Sequence, residues 1–290
     1  MPDTILEKRS GNDTPFLPGR ILAAPSWVIP GTLAENCVFL ATRVDEVGLL
    51  FMESQSCLAY EVEDLPPWLS DLPLRYHVHL PQDLPMHEPA RAAAICHALL
   101  QKVAHLAGNG RKGTSKKSAG ITAVLHPPCH DPAERTKASR LLENFLHHFS
   151  RLGQRPECLL VENIAGNDLL HLQGLLRETS MGVCMDLGHA LAYGQYALLQ
   201  SSFFLEATGM LHLSAPGKGE AAGVHLPLAA LDAEGHEAAA RLCASVSPHA
   251  IIMLELFSWQ QIKDSFPFLH SWLRDCPDRR DADGEGADPG

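Results

Sequence analysis

The sequence predicts an α/β protein in which eight parallel strands close into a (β/α)8 TIM barrel. Eight short apolar runs alternate with stretches of helical periodicity between residues 20 and 275, which is the pattern of repeated strand–helix units. The runs are apolar along their whole length, as in parallel strands that are covered on both faces. An open, doubly wound sheet is the alternative. It usually carries a glycine-rich turn after its first strand, where this chain has Pro25, Ser26 and Trp27.

The first four strands are apolar runs that stop at turn-forming or polar residues. We predict them at residues 21–28, 47–52, 76–80 and 121–126. Thr32 and Glu35 have the capping-box spacing that starts a helix ending at about residue 42. A looser crossover is expected over residues 58–72, and a long Ala/Leu-rich helix over residues 89–107.

The second half of the chain repeats the same unit. Strands are predicted at residues 158–164, 181–187, 210–214 and 251–257. Helices are predicted at residues 131–152, 167–178, 189–208, 228–246 and 259–273. Pro132 opens the first of these helices, because proline is favoured in the first helical turn. These elements form one catalytic domain, residues 20–275, between an N-terminal extension (1–19) and an acidic tail (276–290) that we expect to be disordered.

Composition excludes several classes of function. The chain has 23 Lys and Arg against 34 Asp and Glu, a net charge of −11. Such a surface repels polyanions and disfavours a nucleic-acid substrate, although a small phosphoester is still compatible with it. The eight cysteines form no C-x-x-C pair, which favours reduced, buried thiols in a cytoplasmic protein. We find no secretory signal and no membrane-spanning run, and the oligomeric state stays open.

Ionisable residues concentrate where the predicted strands end. The carboxyl ends of barrel strands form the active-site face of this fold. Here they carry Trp27, Glu53, His79, His126, Glu162, Asp186 with His189, His212 and Glu255. A single strand-end histidine is equally typical of a hydrogen-bonded core residue. Several buried carboxylates, however, need a cation, and no Lys or Arg occurs at these ends. Carboxylates with neutral imidazoles therefore predict a divalent metal centre.

Two basic segments have different expected positions. The Lys/Arg run at residues 111–117 joins a helix to the next strand, so it is expected at the amino end of the barrel as a solvated loop. Lys218 lies in the glycine-rich loop of residues 215–223 after the seventh strand, on the catalytic face. Phosphate groups often bind there in TIM barrels. Lys218 is thus either a substrate contact or part of a plain or mobile loop.

The order of these residues resembles the xylose-isomerase-like barrels, including the endonuclease IV type of apurinic endonucleases. In that superfamily each strand from the third to the eighth ends in a characteristic ligand, with one more histidine in the seventh loop. The matching positions here are His79, His126, Glu162, Asp186, His189, His212, His225 and Glu255. The resemblance covers about residues 20–275 and implies catalytic roles for Glu162, Asp186 and Glu255.

The resemblance implies a centre of two divalent ions, zinc or manganese. The first ion would be held by His79, His126 and Glu162. The second would be held by Glu162, Asp186, His212 and Glu255. A third ion of the endonucleases uses an Asp-x-His motif, and here Gly223 replaces the Asp before His225. His189 and His225 are therefore expected either to bind a third ion weakly or to contact the phosphate.

The N-terminal half resembles a narrower group, the cobamide-remodelling phosphodiesterases. The likeness lies in residues 20–32 (RILAAPSWVIPGT), 34–37 (AENC), 44–47 (VDEV) and 76–81 (YHVHLP). It implies hydrolysis of the nucleotide-loop phosphodiester of cobamides, a corrinoid substrate, without fixing which phosphoester bond breaks. Trp27, Trp259 and Lys218 would be substrate contacts, together with Phe51, and rim packing is the alternative for the aromatic residues.

Two other functions remain open at this stage. Glu162, Asp186, His212 and Glu255 alone match the single-metal set of a sugar isomerase or ketose 3-epimerase, in which two glutamates move protons. His79 and His126 would then be surplus. A non-enzymatic corrinoid- or metal-binding protein is the third reading, which intact cobamide bound without turnover would support.

Overall fold

Eight parallel strands form a closed barrel in the computed structural model, which describes residues 19–107, 121–128, 132–221 and 223–274. The barrel strands are β1 (Ile21–Pro25), β2 (Glu46–Leu50), β3 (Arg75–His79), β4 (Thr122–Leu125), β5 (Leu159–Glu162), β6 (Gly182–Asp186), β7 (Thr208–Leu213) and β10 (Ile251–Leu254). Their order around the barrel follows the chain, and β10 pairs with β1 to close it. The predicted fold class is confirmed.

The helices lie between the strands, on the outside of the barrel. They are α1 (Leu33–Leu40), α2 (Ser54–Leu58), α3 (Pro89–Lys102), α4 (Arg135–Arg151), α5 (Gln173–Thr179), α6 (Leu187–Ala192), α7 (Tyr196–Gln200), α8 (Ser202–Ala207), α9 (Ala233–Ser245) and α10 (Trp259–Arg274). The capping box before α1 is confirmed. The Thr32 side chain accepts from the Glu35 N–H, and the Glu35 carboxylate accepts from the Thr32 N–H.

Two sequence predictions differ from the structure. Residues 189–208 form three short helices rather than one. Gly194 takes a left-handed φ of 64° between α6 and α7, and Ser201 is extended, with a ψ of 115°, between α7 and α8. An α-helix continues through neither conformation. The strands also end earlier than predicted. Glu53 consequently lies beyond β2, exposed at the start of α2, where its carboxylate accepts a hydrogen bond from the Ser56 hydroxyl. Glu53 therefore does not belong to the strand-end cluster.

The inside of the barrel is apolar below its carboxyl end. Ala23, Val124, Leu160, Cys184 and Met210 form one buried cluster there with residues of β10. The Leu160 side chain reaches across to β6, and a Cβ at Gly182 would lie only 2.5 Å from its Cδ2. A larger residue at position 182 would therefore displace Leu160. This apolar cluster fills the barrel on the amino side of the polar strand-end groups. Those groups are therefore reached only from the carboxyl face.

The loop after β7 folds into a small antiparallel ribbon that the sequence did not predict. Its strands are β8 (Ala215–Pro216) and β9 (His225–Leu226), and Pro216 lies opposite His225. The Gly217 N–H donates to the Val224 carbonyl and closes the loop between them. The ribbon fixes the backbone of His225 beside the end of β7.

Some predicted features fall outside the described residues, namely the extension up to residue 18, the basic run at 111–117, Cys129, Cys276 and the tail at 276–290. Five of the six described cysteines are buried, as the sequence predicts. Among the described helices, none combines the length and apolar character needed to cross a bilayer.

Candidate metal centre

Four strand ends bring three carboxylates and an imidazole together at the carboxyl end of the barrel. Glu162 ends β5, Asp186 ends β6, His212 lies in β7, and Glu255 directly follows β10. Strand register places these residues side by side. Asp186 lies opposite His212, and His212 lies opposite Met253, two residues before Glu255. All four side chains are buried, with relative exposures between 0% and 5%.

The atoms of this group converge on one nitrogen. His212 Nδ1 lies 3.1 Å from Glu162 Oε1, 3.0 Å from Glu255 Oε2 and 4.0 Å from Asp186 Oδ2. One ligand atom from each of the four residues lies within 4.8 Å of the other three. One imidazole nitrogen with three carboxylate oxygens is a donor set that suits a divalent ion.

A second group shares Glu162 from its other side. His79 Nε2 and His126 Nε2 lie 3.1 Å and 3.0 Å from Glu162 Oε2, so Glu162 faces two histidines with one oxygen and His212 with the other. The His79 Nδ1–H donates to the Leu80 carbonyl. In neutral His79, Nε2 therefore carries no proton, and its lone pair faces a carboxylate oxygen. A proton or a metal ion between these two atoms removes the repulsion.

The cluster contains more negative charge than the protein neutralises. Among the described residues, the ion-pair partners found for Glu162, Asp186 and Glu255 are all histidines. Asp186 Oδ2 and Glu255 Oε2 are buried without a hydrogen-bond partner, even though His212 Nδ1 is close to both, because its single proton cannot serve three carboxylates. Buried carboxylate oxygens left this way are costly unless a cation binds them. The residues present therefore fit a divalent metal.

The protein environment moves the carboxyl pKa values in opposite directions. Burial alone would raise the pKa of Glu162, but His212 and the hydrogen bonds from His126 and His79 hold it well below its usual range. The pKa of Glu255 is likewise lowered, because His212 outweighs burial. For Asp186, burial together with the charges of Glu255 and Glu162 outweighs the opposing effect of His189 and His212 and raises the pKa to about 7. Without a metal, Asp186 is thus the carboxyl group that takes up a proton near neutral pH.

The pKa values of the neighbouring carboxyl groups depend on the charge of His212. Burial disfavours its charge, but Cys184, Glu255 and Glu162 together raise its pKa well above the usual value. In the metal-free protein His212 therefore carries a proton that offsets part of the carboxylate charge. A metal ion that binds Nδ1 replaces that proton.

The third metal position that the sequence resemblance implies has only part of its ligand set in this chain. His189 Nδ1 donates to the Asn163 carbonyl at 2.9 Å, and His225 Nδ1 lies 3.1 Å from Ser214 Oγ and 3.6 Å from Glu255 Oε2. The two rings are 5.8 Å apart. A Cβ at Gly223 would contact the Tyr193 hydroxyl at 3.4 Å. The structure thus brings His189 and His225 together beside the cluster, with no carboxylate at position 223.

Sequence reasoning missed the residues that hold these ligands in place. Asn163 is fully buried; its side-chain oxygen accepts from the Asp186 N–H at 2.7 Å, and its NH₂ donates to the Asp186 carbonyl and to Gln195. Gln195 in turn donates to the Ile164 carbonyl. A polar residue directly after an apolar strand, as in LLVEN at residues 159–163, was the available signal.

The expected substrate contacts fall into two groups. Trp27 is 57% exposed after β1, and Lys218 is exposed in the loop between β8 and β9. Trp259, by contrast, packs edge-on against Phe39 and Phe266, and Phe51 is fully buried against Tyr60. Internal packing accounts for these last two aromatic side chains, which is the rim-packing alternative.

Comparison with known proteins shows the fold. No protein-family model and no curated protein matches this chain. Three similar solved structures are those of SacUVDE (12% identity over 87% of this chain and 98% of that one, TM-score 0.55), the IolI protein with a bound zinc atom (12%, 88% and 99%, TM-score 0.58) and a sugar phosphate isomerase/epimerase from Parabacteroides distasonis (11%, 87% and 94%, TM-score 0.51). This chain therefore has the (β/α)8 TIM-barrel fold of these three structures.

Proposed function

We propose that this protein is a divalent-metal-dependent phosphodiesterase that hydrolyses the nucleotide-loop phosphodiester of cobamides. The observation that carries the metal-dependent part is the position of Glu162. Its two oxygens face two different ligand groups, His79 and His126 on one side and His212 on the other. A carboxylate that faces two ligand groups in this way would be shared by two divalent ions, and two-metal sites are common in enzymes that cleave phosphodiesters.

Each bound ion would have its own ligands from this chain. His79, His126 and Glu162 would hold the first, and Glu162, Asp186, His212 and Glu255 the second. The zinc atom in the similar IolI structure supports the binding of a divalent ion by a barrel of this fold, without bearing on the number of ions. When bound, two divalent ions supply an activated water and positive charge for the phosphate oxygens.

The remaining chemistry is positional and belongs to this chain. Asn163 fixes the backbone of Asp186, and Ser214 fixes the ring of His225. His189 and His225 lie beside the cluster, where they would donate hydrogen bonds to phosphate oxygens. In the reaction a water oxygen bonds to phosphorus, one ester P–O bond breaks, and the departing alcohol takes up a proton. The products are one alcohol and one phosphate monoester.

The cobamide part of the proposal rests on the N-terminal resemblance and on exposed apolar side chains near the centre. Trp27 lies on the active-site face after β1, where it would contact a corrinoid. Lys218 would contact a phosphate or carboxamide of the same substrate. Trp259, which is half-buried against Phe39 and Phe266, would contribute its remaining exposed edge to the same substrate. The predicted cytoplasmic location is part of the proposal, since corrinoid salvage would take place there.

The test is hydrolysis of adenosylcobalamin by purified protein reconstituted with zinc or manganese. Mass spectrometry identifies the products, and metal analysis counts ions per chain. We expect two ions per chain, one alcohol and one phosphate monoester as products, and loss of activity with chelator or in Glu162→Ala. Undiminished turnover in Glu162→Ala, or no cobamide cleavage with two metals bound, would reject the assignment.

A single-metal sugar isomerase or ketose 3-epimerase is the second candidate. The specific observation in its favour is that Glu162, Asp186, His212 and Glu255 form a complete four-ligand group without His79 and His126. Metal content and isotope exchange separate the two functions. One ion per chain, full activity in a His126→Ala variant and exchange of a carbon-bound proton of a ketose would favour the isomerase.

A further inference from the structure

A cleft of 360 Å³ lies beside the metal centre on the β3–β4 side of the barrel. The imidazole of His126, whose Nε2 faces Glu162, forms part of its wall. Residues after β3 and β4 and from the start of α4 form the rest, including Gln82, Met86, Pro127, Pro128, Lys137 and Leu141. Because His126 is shared, a group in this cleft lies against one of the proposed ligands of the first metal position.

The lining of this cleft suits a small, flat and uncharged group. Pro127, Pro128 and Met86 are buried and give apolar walls. The charged groups cancel locally, since Lys137 Nζ lies 2.9 Å from Glu134 Oε1. Gln82 and His126 contribute polar atoms at the edges. A volume near the lower end of the range for small-molecule sites accepts a heterocycle with a sugar but excludes a large macrocycle.

A different surface lies across the barrel mouth, beside β6, β7 and β10. Four rings follow one another there: Tyr193 is 5.9 Å from His189, His189 is 5.8 Å from His225, and His225 is 5.5 Å from Phe257. The end members are exposed, 37% for Tyr193 and 44% for Phe257, and Val224 beside His225 is 50% exposed. We call Tyr193, Val224 and Phe257 the apolar rim.

The apolar rim is an open surface, whereas the cleft is a recess that is open on one side. Exposed aromatic side chains grouped on one side of a site are typical of surfaces that bind a large apolar face. The rim is also continuous with His189 and His225, which lie next to Asp186 and Glu255. The carboxylate centre thus lies between a recessed cleft without net charge from its Lys–Glu pair and an open, apolar surface.

We propose that the two arms of the diester bind on opposite sides of the metal centre. The smaller arm, a flat heterocycle carried on a sugar, occupies the cleft beside His126. The larger arm, with an extended apolar face, lies on the rim formed by Tyr193, Val224 and Phe257. This assignment rests on the proposed function, and it makes Gln82 and the apolar rim specificity-determining positions.

The test measures each arm separately in the zinc-loaded protein. The probes are cobinamide, which is the large arm, and dimethylbenzimidazole riboside, which is the small arm, with titration calorimetry as the readout. Gln82→Trp fills the cleft from an exposed position and is expected to weaken riboside binding at least tenfold while cobinamide binding stays within twofold. Tyr193→Ala and Phe257→Ala are expected to weaken cobinamide binding about tenfold, the loss of one aromatic stacking contact, with riboside binding unchanged.

Two matched controls separate these effects from altered folding. Ala90→Trp adds the same ring as Gln82→Trp at an exposed position outside the cleft, and Trp68→Ala removes an exposed ring before β3. Both controls are expected to bind both probes as the wild type does.

The outcomes also separate this inference from the proposed function. One outcome is that the wild type cleaves adenosylcobalamin while the rim and cleft variants both lose binding of the same probe, or while each class loses the probe assigned to the other. In either case the arm assignment is overturned and the proposed function stands. If the wild type neither cleaves adenosylcobalamin nor binds either probe, both are overturned. Selective loss of one probe in each class of variant supports the assignment.

Discussion

Two buried groups of carboxylates and imidazoles lie in this barrel, one toward each end, and they are neutralised differently. Toward the amino end, Glu46 accepts from His77 Nδ1 at 2.8 Å and lies 3.1 Å from Arg75 Nε. At the carboxyl end, Glu162, Asp186 and Glu255 meet only histidines among their described ion-pair partners. Glu46 and Glu162 are similarly buried, with exposures of 2% and 1%.

The difference shows how a structural ion pair is told from a ligand set. Arg75 is half-exposed, so it reaches Glu46 from solvent and leaves that carboxylate fully partnered. At the other end two carboxylate oxygens, from Asp186 and Glu255, have no hydrogen-bond partner. Burial of charge is common to both groups, and what distinguishes them is the missing cation. The metal centre is inferred from that deficit.

The largest expected effect is at the shared carboxylate. Glu162→Gln keeps the side-chain volume but removes the charge that both proposed metal positions use. We expect the second metal to be lost from the purified protein and kcat for the phosphodiester to fall by ~10³-fold or more, the scale of losing a principal electrostatic contact. Metal analysis and steady-state kinetics measure both.

Glu53→Gln is the matched control for that substitution. Glu53 is also a glutamate close after a strand, but it is exposed and its bond to the Ser56 hydroxyl can be kept by glutamine. Metal content and kcat should equal those of the wild type. An equal loss in the two variants would show that Glu162 has no special role.

The pH dependence of metal binding is the second test. In the metal-free protein, burial raises the pKa of Asp186 to about 7, and the pKa of His212 is also raised. A raised pKa means that the folded state holds these protons more tightly than the unfolded chain, so stability of the metal-free protein falls as pH rises through about 7. A metal must displace the same protons, and its affinity therefore increases with pH, by about tenfold per unit for each proton released.

Thermal unfolding measures this prediction directly. The increase in Tm on adding zinc should be larger at pH 8 than at pH 6, with manganese as a second ion. Glu53→Gln should show the same pH dependence as the wild type. A constant increase in Tm across this range would contradict the assignment of Asp186 and His212 as ligands.

The sequence was sufficient for the barrel and for the identity of the strand-end residues, for local reasons. Continuous apolar runs mark buried parallel strands, and a polar residue that closes such a run marks a strand end, as at Glu162 and Asp186. Glu53 shows the limit, because the apolar run continues to Met52 while the strand ends at Leu50, and the three further residues place Glu53 in solvent. A composition pattern does not fix the last residue of a strand.

What the sequence could not predict depends on contacts between distant segments. The partnership of Arg75 with Glu46 arises because their strands are in register, and the Asn163–Asp186 contact joins two strand ends that are 23 residues apart. The apolar rim was also missed, since Tyr193 and Phe257 resemble ordinary core residues until their exposure is known.

The amino-end group is tested by Glu46→Gln. The substitution leaves Arg75 to solvent and gives His77 a neutral partner, so a buried, charge-assisted hydrogen bond is weakened. We expect the free energy of unfolding to fall by ~1–3 kcal/mol, with metal content and kcat unchanged. Urea unfolding measures the loss. A fall in metal content would show that the two groups are not independent.

Asp186→Asn in the metal-free protein should have the opposite sign, and this contrast is the sharpest consequence of the comparison. Above pH 7 the wild-type carboxylate is charged and fully buried, and its Oδ2 has no hydrogen-bond partner. Asparagine removes that charge and keeps Oδ1, which caps α6 by accepting from the His189 N–H. Zinc binding should be lost, yet the metal-free variant should be more stable than the wild type by ~1–3 kcal/mol at pH 8. The gain should shrink at pH 6, where wild-type Asp186 takes up a proton. Urea unfolding with chelator at both pH values decides it, and a variant less stable than wild type at pH 8 would mean that Asp186 is already neutralised by the protein.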